Sequence, residues 1–321
     1  MSLRTLGAGI ALAAVCAALV LAPLHLDAYG LGLMIGIVGY ATLATAWALF
    51  SGPTRYVSLA TVAFFGLGAY VVAVLGETLP HALVLVAAAL VGLAVALVVG
   101  LATLRLAGVY FVIFTFGLAE LVRQLVTWYE INVTGTLGRY IFLPIGPKEI
   151  YWQLLALAAG TLLLSWRVGR NRIGLALKVI GDDEVVAAHS GIDIIRTKLA
   201  LFAASAVIIT LAGAIQAPRW TYVEPSIVFN PTISFLTLIM ALLGGARRLW
   251  GPACGAVPLF LLFEWLSANF PNHYPIILGL LFIAIVFLLP NGVLAFAEDL
   301  WRRAGTPRRR RPAARGEETA R

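Results

Sequence analysis

Ten apolar runs, each 15 to 24 residues long, constrain the fold of this chain more than any other feature: 7–24, 31–50, 58–75, 81–104, 110–128, 151–168, 199–217, 231–245, 253–270 and 275–289. A helix crosses the hydrocarbon core of a bilayer with about 20 residues. Of 321 residues, 61% are hydrophobic and only 12% charged, whereas a soluble domain is about a quarter charged. The predicted fold class is therefore an all-α polytopic membrane protein with about ten transmembrane helices. Run 58–75 is the weakest, interrupted by Gly66 and Gly68. It predicts either a crossing or a discontinuous helix that faces protein or a wet cavity. Run 7–24 reads as an uncleaved first span, being longer than the apolar region of a usual signal peptide.

Charge sets the expected orientation. With the N-terminus inside, the inner segments carry Arg4, Arg55, Arg105, the six basic residues of 167–198, Arg247, Arg248 and the eight of the tail, 19 of the 23 Lys+Arg. The opposite orientation would violate the positive-inside bias. Both termini are thus predicted cytoplasmic, with residues 1–292 forming a transmembrane domain and 293–321 a basic cytoplasmic tail. Arg308 to Arg311 are consecutive. Next to a terminal span, such a run predicts anchoring to anionic lipid rather than nucleic-acid binding.

Several chemistries are excluded by what the chain lacks. Cys16 and Cys254 are far apart in apolar runs, and His25, His81, His189 and His273 are dispersed, so no disulfide framework, metal site or cofactor is predicted. The three lysines, Lys148, Lys178 and Lys198, do not follow glycine. A Walker A loop ending in Gly-Lys is absent. The chain is not expected to be an enzyme. An ion-coupled secondary transporter or channel is the alternative reading, but only Glu120 and Glu264 offer intramembrane carboxylates for it.

The longest inner loop, 169–198, reads G-R-N-R-I-G-L-A-L-K-V-I-G-D-D-E-V-V-A-A-H-S-G-I-D-I-I-R-T-K. Asp182 or Asp183 predicts an N-cap, Glu184 adds first-turn negative charge, and Gly191 suits a left-handed stop. A second short helix is expected over about 174–180. A solvated connector is the plain reading. Leu175, Leu177, Val179, Ile180, Val185 and Val186 are too apolar for one, and favour a coupling element read by a partner.

This loop resembles the coupling segment of ABC-importer permeases, with Glu184, Ala187 and Gly191 in register. Three further stretches resemble the branched-chain amino acid permease family: S-L-A-T-V-A-F-F-G-L-G-A-Y (58–70), G-V-Y-F-V-I-F-T-F-G-L-A-E-L-V-R (108–123) and L-L-G-G-A-R-R-L-W-G-P (242–252). With L-A-G-A-I-Q-A (211–217), the similarity runs from about residue 30 to residue 292. Two departures stand out. Ala60-Thr61 replaces the Gly-His usual in the family, and Val185 and Val186 replace Arg and Ala.

The resemblance implies an ABC-importer permease fold in a bacterial inner membrane, moving branched-chain amino acids or a related urea, amide or aromatic acid. It implies a second permease subunit, sister or identical, two cytosolic ATPase subunits carrying ATP and Mg, and a periplasmic solute-binding protein. Asp182, Asp183, Glu184, Ala187 and Gly191 would form the ATPase-coupling site.

Candidate path residues follow from placement. Glu120 and Arg123 lie three apart and share a helix face, as a gate or as a structural pair. Glu264 is a lone intramembrane carboxylate, and such groups are functional candidates or interhelical hydrogen-bond partners. Ser58, Thr61, Tyr70 and Thr115 supply the neutral polar groups a zwitterionic solute needs. Gly66, Gly68, Gly108, Gly244 and Gly245 are expected mainly as helix-packing positions.

Overall fold

The computed structural model describes residues 17–106 and 108–288. Helices dominate: α1 (Ala28–Thr54), α2 (Thr61–Leu75), α3 (His81–Thr103), α4 (Val109–Tyr129), α5 (Pro147–Arg170), α6 (Arg172–Asp182), α7 (Glu184–His189), α8 (Ile194–Gln216), α9 (Pro225–Val228), α10 (Thr232–Gly244), α11 (Gly251–Asn269) and α12 (Tyr274–Leu288). Nine predicted apolar runs each coincide with one helix. The run 7–24 falls largely outside the described residues, as do both termini and the basic tail. Among the described residues, six segments are long and apolar enough to cross a membrane: α1, α3, α4 with its final π-turn, α8 with its 3-10 end, α9–α10, and α11. The 15 residues of α2 and of α12 are shorter, and α5 carries Lys148, Glu149, Arg167 and Arg170 at its ends.

Helices α1 and α8 form the centre, and α3 and α4 leave most of their surface exposed. The centre is tight because α2 and α8 touch backbone to backbone. A Cβ added at Gly68 would collide with the Thr210 carbonyl, and one at Gly213 with the Phe65 carbonyl. Such small-residue crossings replace the hydrophobic drive that lipid removes. Phe50, Phe64 and Phe202 fill the space beside this crossing with edge-on ring contacts.

One expectation changes here. Gly66 and Gly68 do not interrupt α2, which is continuous from Thr61 to Leu75. Both glycines sit at close contacts, the packing role expected of them, Gly66 under the Phe229 ring and Gly68 on α8. The irregular backbone lies just before the helix, at residues 55–59. At the opposite end, β1 (Arg139–Tyr140) pairs antiparallel with β2 (Tyr222–Val223), tying the α4–α5 connector to the α8–α9 connector.

Candidate functional site

Helices α6 and α7 are built as the loop sequence predicts, with sharper boundaries. The first runs over Arg172–Asp182, longer than the expected 174–180, and passes through Gly181. Asp183, rather than Asp182, is the N-cap of α7, its carboxylate accepting from Val185 N at 2.7 Å and Val186 N at 3.2 Å. Gly191 adopts φ 76°. Ile192 N donates to Ala187 O at 3.2 Å and Gly191 N to Ala188 O at 3.0 Å, the paired bonds that close a helix on a left-handed residue. Ala187 is fully buried.

The pair of helices is fastened at three points. Asp182 forms an ion pair with Arg55, the residue just past α1. Glu184 accepts from the Tyr56 hydroxyl at 2.6 Å and pairs with Lys198 on α8. Lys198 is 1% exposed and its ammonium lies 4.0 Å from the Tyr56 ring centroid. A buried ammonium needs such compensation, here one carboxylate and one aromatic face. Burial, then the Glu184 hydrogen bond, pushes the Tyr56 phenol above its ordinary pKa. Leu177 and Ile180 turn inward and are buried, whereas Leu175, Val185 and Val186 remain exposed, at 66%, 64% and 54%.

A cavity of about 400 Å³ separates this segment from the start of α4, lined by Arg55, Tyr56, Gly108, Val109, Val112 and Asp182 to Glu184 among others. Next in the chain, Ser58 and Leu59 before α2 are buried, and their backbone groups are bonded to side chains of other elements. Trp47 Nε1 donates to Ser58 O at 2.7 Å, Leu59 N donates to Thr115 Oγ1 at 3.1 Å, and Ser234 Oγ donates to Leu59 O at 2.9 Å. Val62 N donates to the same Ser234 Oγ at 2.9 Å. Irregular backbone at membrane depth requires this kind of support.

The predicted path residues divide into groups. Ser58 and Thr61 lie together with Ser51 and Ser205 at a small gap of about 10 Å³, whose other walls are apolar, among them Trp47, Phe50, Phe64 and Phe202. Thr115 is close by but serves the Leu59 amide. Tyr70 is stacked on Phe229, with its hydroxyl buried and without a hydrogen bond among the described residues. Glu120 and Arg123 do pair, Nε to Oε2 at 2.9 Å, on α4 where both stay partly exposed. Glu264 is apart from these on α11, half-buried, with Arg219 as an electrostatic neighbour.

Glu130 and Arg139 were not singled out by the sequence. Glu130 is fully buried in the π-turn that ends α4 and accepts from Arg139 Nε at 2.8 Å. Such turns gather at functional positions. The signal was faint, an acidic residue closing an apolar run and a basic residue nine positions on. Among the described residues, no three His, Cys, Asp or Glu side chains come together as a metal site.

The sequence pattern of the branched-chain amino acid transport system / permease component family matches residues 29–289. The chain belongs to this family. Among curated proteins, this family member is 26% identical over 265 residues to the high-affinity branched-chain amino acid transport system permease protein LivM of Salmonella typhimurium strain LT2. It is equally similar to LivM of Escherichia coli strain K12. Each match covers 72% of this chain and 62% of the relative, so the chain spans less than two thirds of the length of the relatives it matches. No solved structure matches. This family member is a multi-pass membrane protein by its six long apolar helical segments among the described residues.

Within the bundle, the α6–α7 segment can do one mechanical thing. It presents an exposed apolar surface while holding, by charged and hydrogen-bonded contacts, the end of α1, the approach to α2 and the start of α8.

Proposed function

We propose that this chain is the permease subunit of an ATP-driven importer for branched-chain amino acids or a related small solute. Val185 and Val186 carry the reading, because apolar side chains left exposed on a helix that is capped at both ends call for a cover from outside the chain. The cover is a cytosolic ATPase subunit, holding ATP and Mg, one on each of two permease subunits. A periplasmic binding protein delivers the solute. About ten spans with both termini cytoplasmic, in a bacterial inner membrane, complete the arrangement, and the positive charge around α6, α7 and the α10–α11 turn supports that orientation. The solute passes Ser58, Thr61 and the Glu120–Arg123 pair, with α4 turned toward the second permease subunit.

The test is purification from the native membrane in mild detergent, with and without Val185→Asp and Val186→Asp. Walker-A ATPases should accompany the normal chain and be lost from the variant. A chain that elutes alone and moves solute in liposomes without ATP would overturn the proposal.

A further inference from the structure

A second cavity, of about 570 Å³, opens beside α6 on the side away from α4. Its mouth is basic. Arg170, Lys178, Arg247 and Arg248 line it, from the end of α5, from α6 and from the turn between α10 and α11. The one acid at the rim among the described residues, Asp182, is neutralised by its ion pair with Arg55. Arg170 is held in place by the Trp166 ring, its guanidinium carbon 4.4 Å from the centroid. An aromatic ring beside a cation, at the end of a long helix, is the usual furniture of a headgroup layer.

The inner part of the cavity is different. Its walls are Ala48, Leu49, Val168 and Leu249, and it follows α1 from Pro53 back to Thr45, about 12 Å of helix axis. A soluble anion needs only the charged mouth. A charged mouth that continues into an apolar slot between helices matches a molecule with an anionic head and hydrocarbon chains. Ser165, one and a half turns in from Arg170, adds a hydroxyl on this wall. Its Oγ is buried and has no hydrogen-bond partner among the described residues, although buried polar atoms are ordinarily paired. An ester or phosphodiester oxygen would satisfy it.

We propose that this cleft is a binding site for one anionic phospholipid, with its phosphate among Arg170, Lys178 and Arg247 and its glycerol esters at Ser165. The site requires only that this end of the bundle lies at a membrane surface, so it stands apart from the transport reading.

The experiment is native mass spectrometry of the purified chain exchanged into micelles containing phosphatidylglycerol or phosphatidylcholine. One phosphatidylglycerol should be retained per chain, with phosphatidylcholine lost. The triple variant Arg170→Gln, Lys178→Gln, Arg247→Gln should weaken retention about 100-fold, as expected for three basic contacts to an anionic surface. Gly169→Leu gives a second, independent variant. It keeps every charge, a Cβ there meets nothing within 4 Å, and Gly169 lines the cleft, so the added bulk on its wall should also weaken lipid retention. Unchanged retention in both variants would overturn the site. So would equal loss on changing Arg308 to Arg311 to Gln, which would mark diffuse attraction. Displacement by inorganic phosphate alone would show a free-anion site, and loss of a co-purifying ATPase with lipid retained would assign the cleft to that partner; either result refutes the proposal.

Discussion

Lys198 on α8 and Glu184 on α7 form an ion pair in which the lysine is 1% exposed and the glutamate side chain 38%. The pair is asymmetric. Removing the carboxylate strands a buried ammonium, whereas removing the ammonium leaves a carboxylate that water can still reach. Glu184→Gln should therefore cost about 2 kcal/mol, and Lys198→Met should cost less. The double variant should recover part of the loss seen in the Glu184 single variant. Unfolding of the four proteins in one detergent checks this, and strictly additive losses would contradict the coupling.

Tyr56→Phe removes a hydrogen-bond donor but keeps the ring beneath Lys198, and should cost about 1 kcal/mol. The phenol pKa is raised in the folded protein. Its contribution is then whole below the ordinary tyrosine value of about 10 and is lost as pH rises through the folded value. The difference between the two proteins should thus be flat from pH 6 to 9. A difference that collapses inside that window would show that the hydroxyl is not the source.

Asp183→Ala should loosen α7 by about 1 kcal/mol, and Asp183→Asn should restore most of it. Hydrogen exchange at the Val185 and Val186 amides reads this directly, since both donate to Asp183. Exchange that is unchanged in the alanine variant would mean that the cap does not hold the helix.

Gly213→Ala places a methyl against the Phe65 carbonyl and should cost about 3 kcal/mol. At Gly117 on α4 the same change meets nothing within 4 Å, and should be neutral or gain up to about 1 kcal/mol from helix propensity. Heating both variants and following the monodisperse fraction separates the two outcomes. Equal tolerance would argue against the α2–α8 backbone contact.

Glu120→Gln and Arg123→Gln distinguish a structural pair from a path contact. As a partly exposed pair it is worth at most about 1 kcal/mol of stability. Uptake should nevertheless fall about tenfold in each single variant if the solute meets these charges. A stability loss with normal uptake would assign the pair to structure.

The sequence exposed what depends on local spacing. Apolar runs located nine helices, and residues three apart paired Glu120 with Arg123. Asp183 and Gly191 marked both ends of α7, since caps are written within a few residues of where they act. Contacts made between distant segments were hidden. Tyr56, Glu184 and Lys198 are separated by 128 and 14 positions, and nothing in the local pattern links them. Ser234 was missed for the same reason, since its task is to satisfy the amide and carbonyl of residues on another element. Gly66 and Gly68 left two readings of their run open, because glycine can either break a helix or let two backbones touch, and only the neighbour decides.

The α2–α8 crossing has a mechanical consequence. Where Gly68 and Gly213 meet carbonyls directly, no layer of side chains remains to compress or change rotamer. Lys198 and Glu184 fasten one end of α8 to α7, and the glycine contact lies farther along the same helix. A push on α7 thus meets a stiff lever rather than a cushion, and the approach to α2 must shift in step with it.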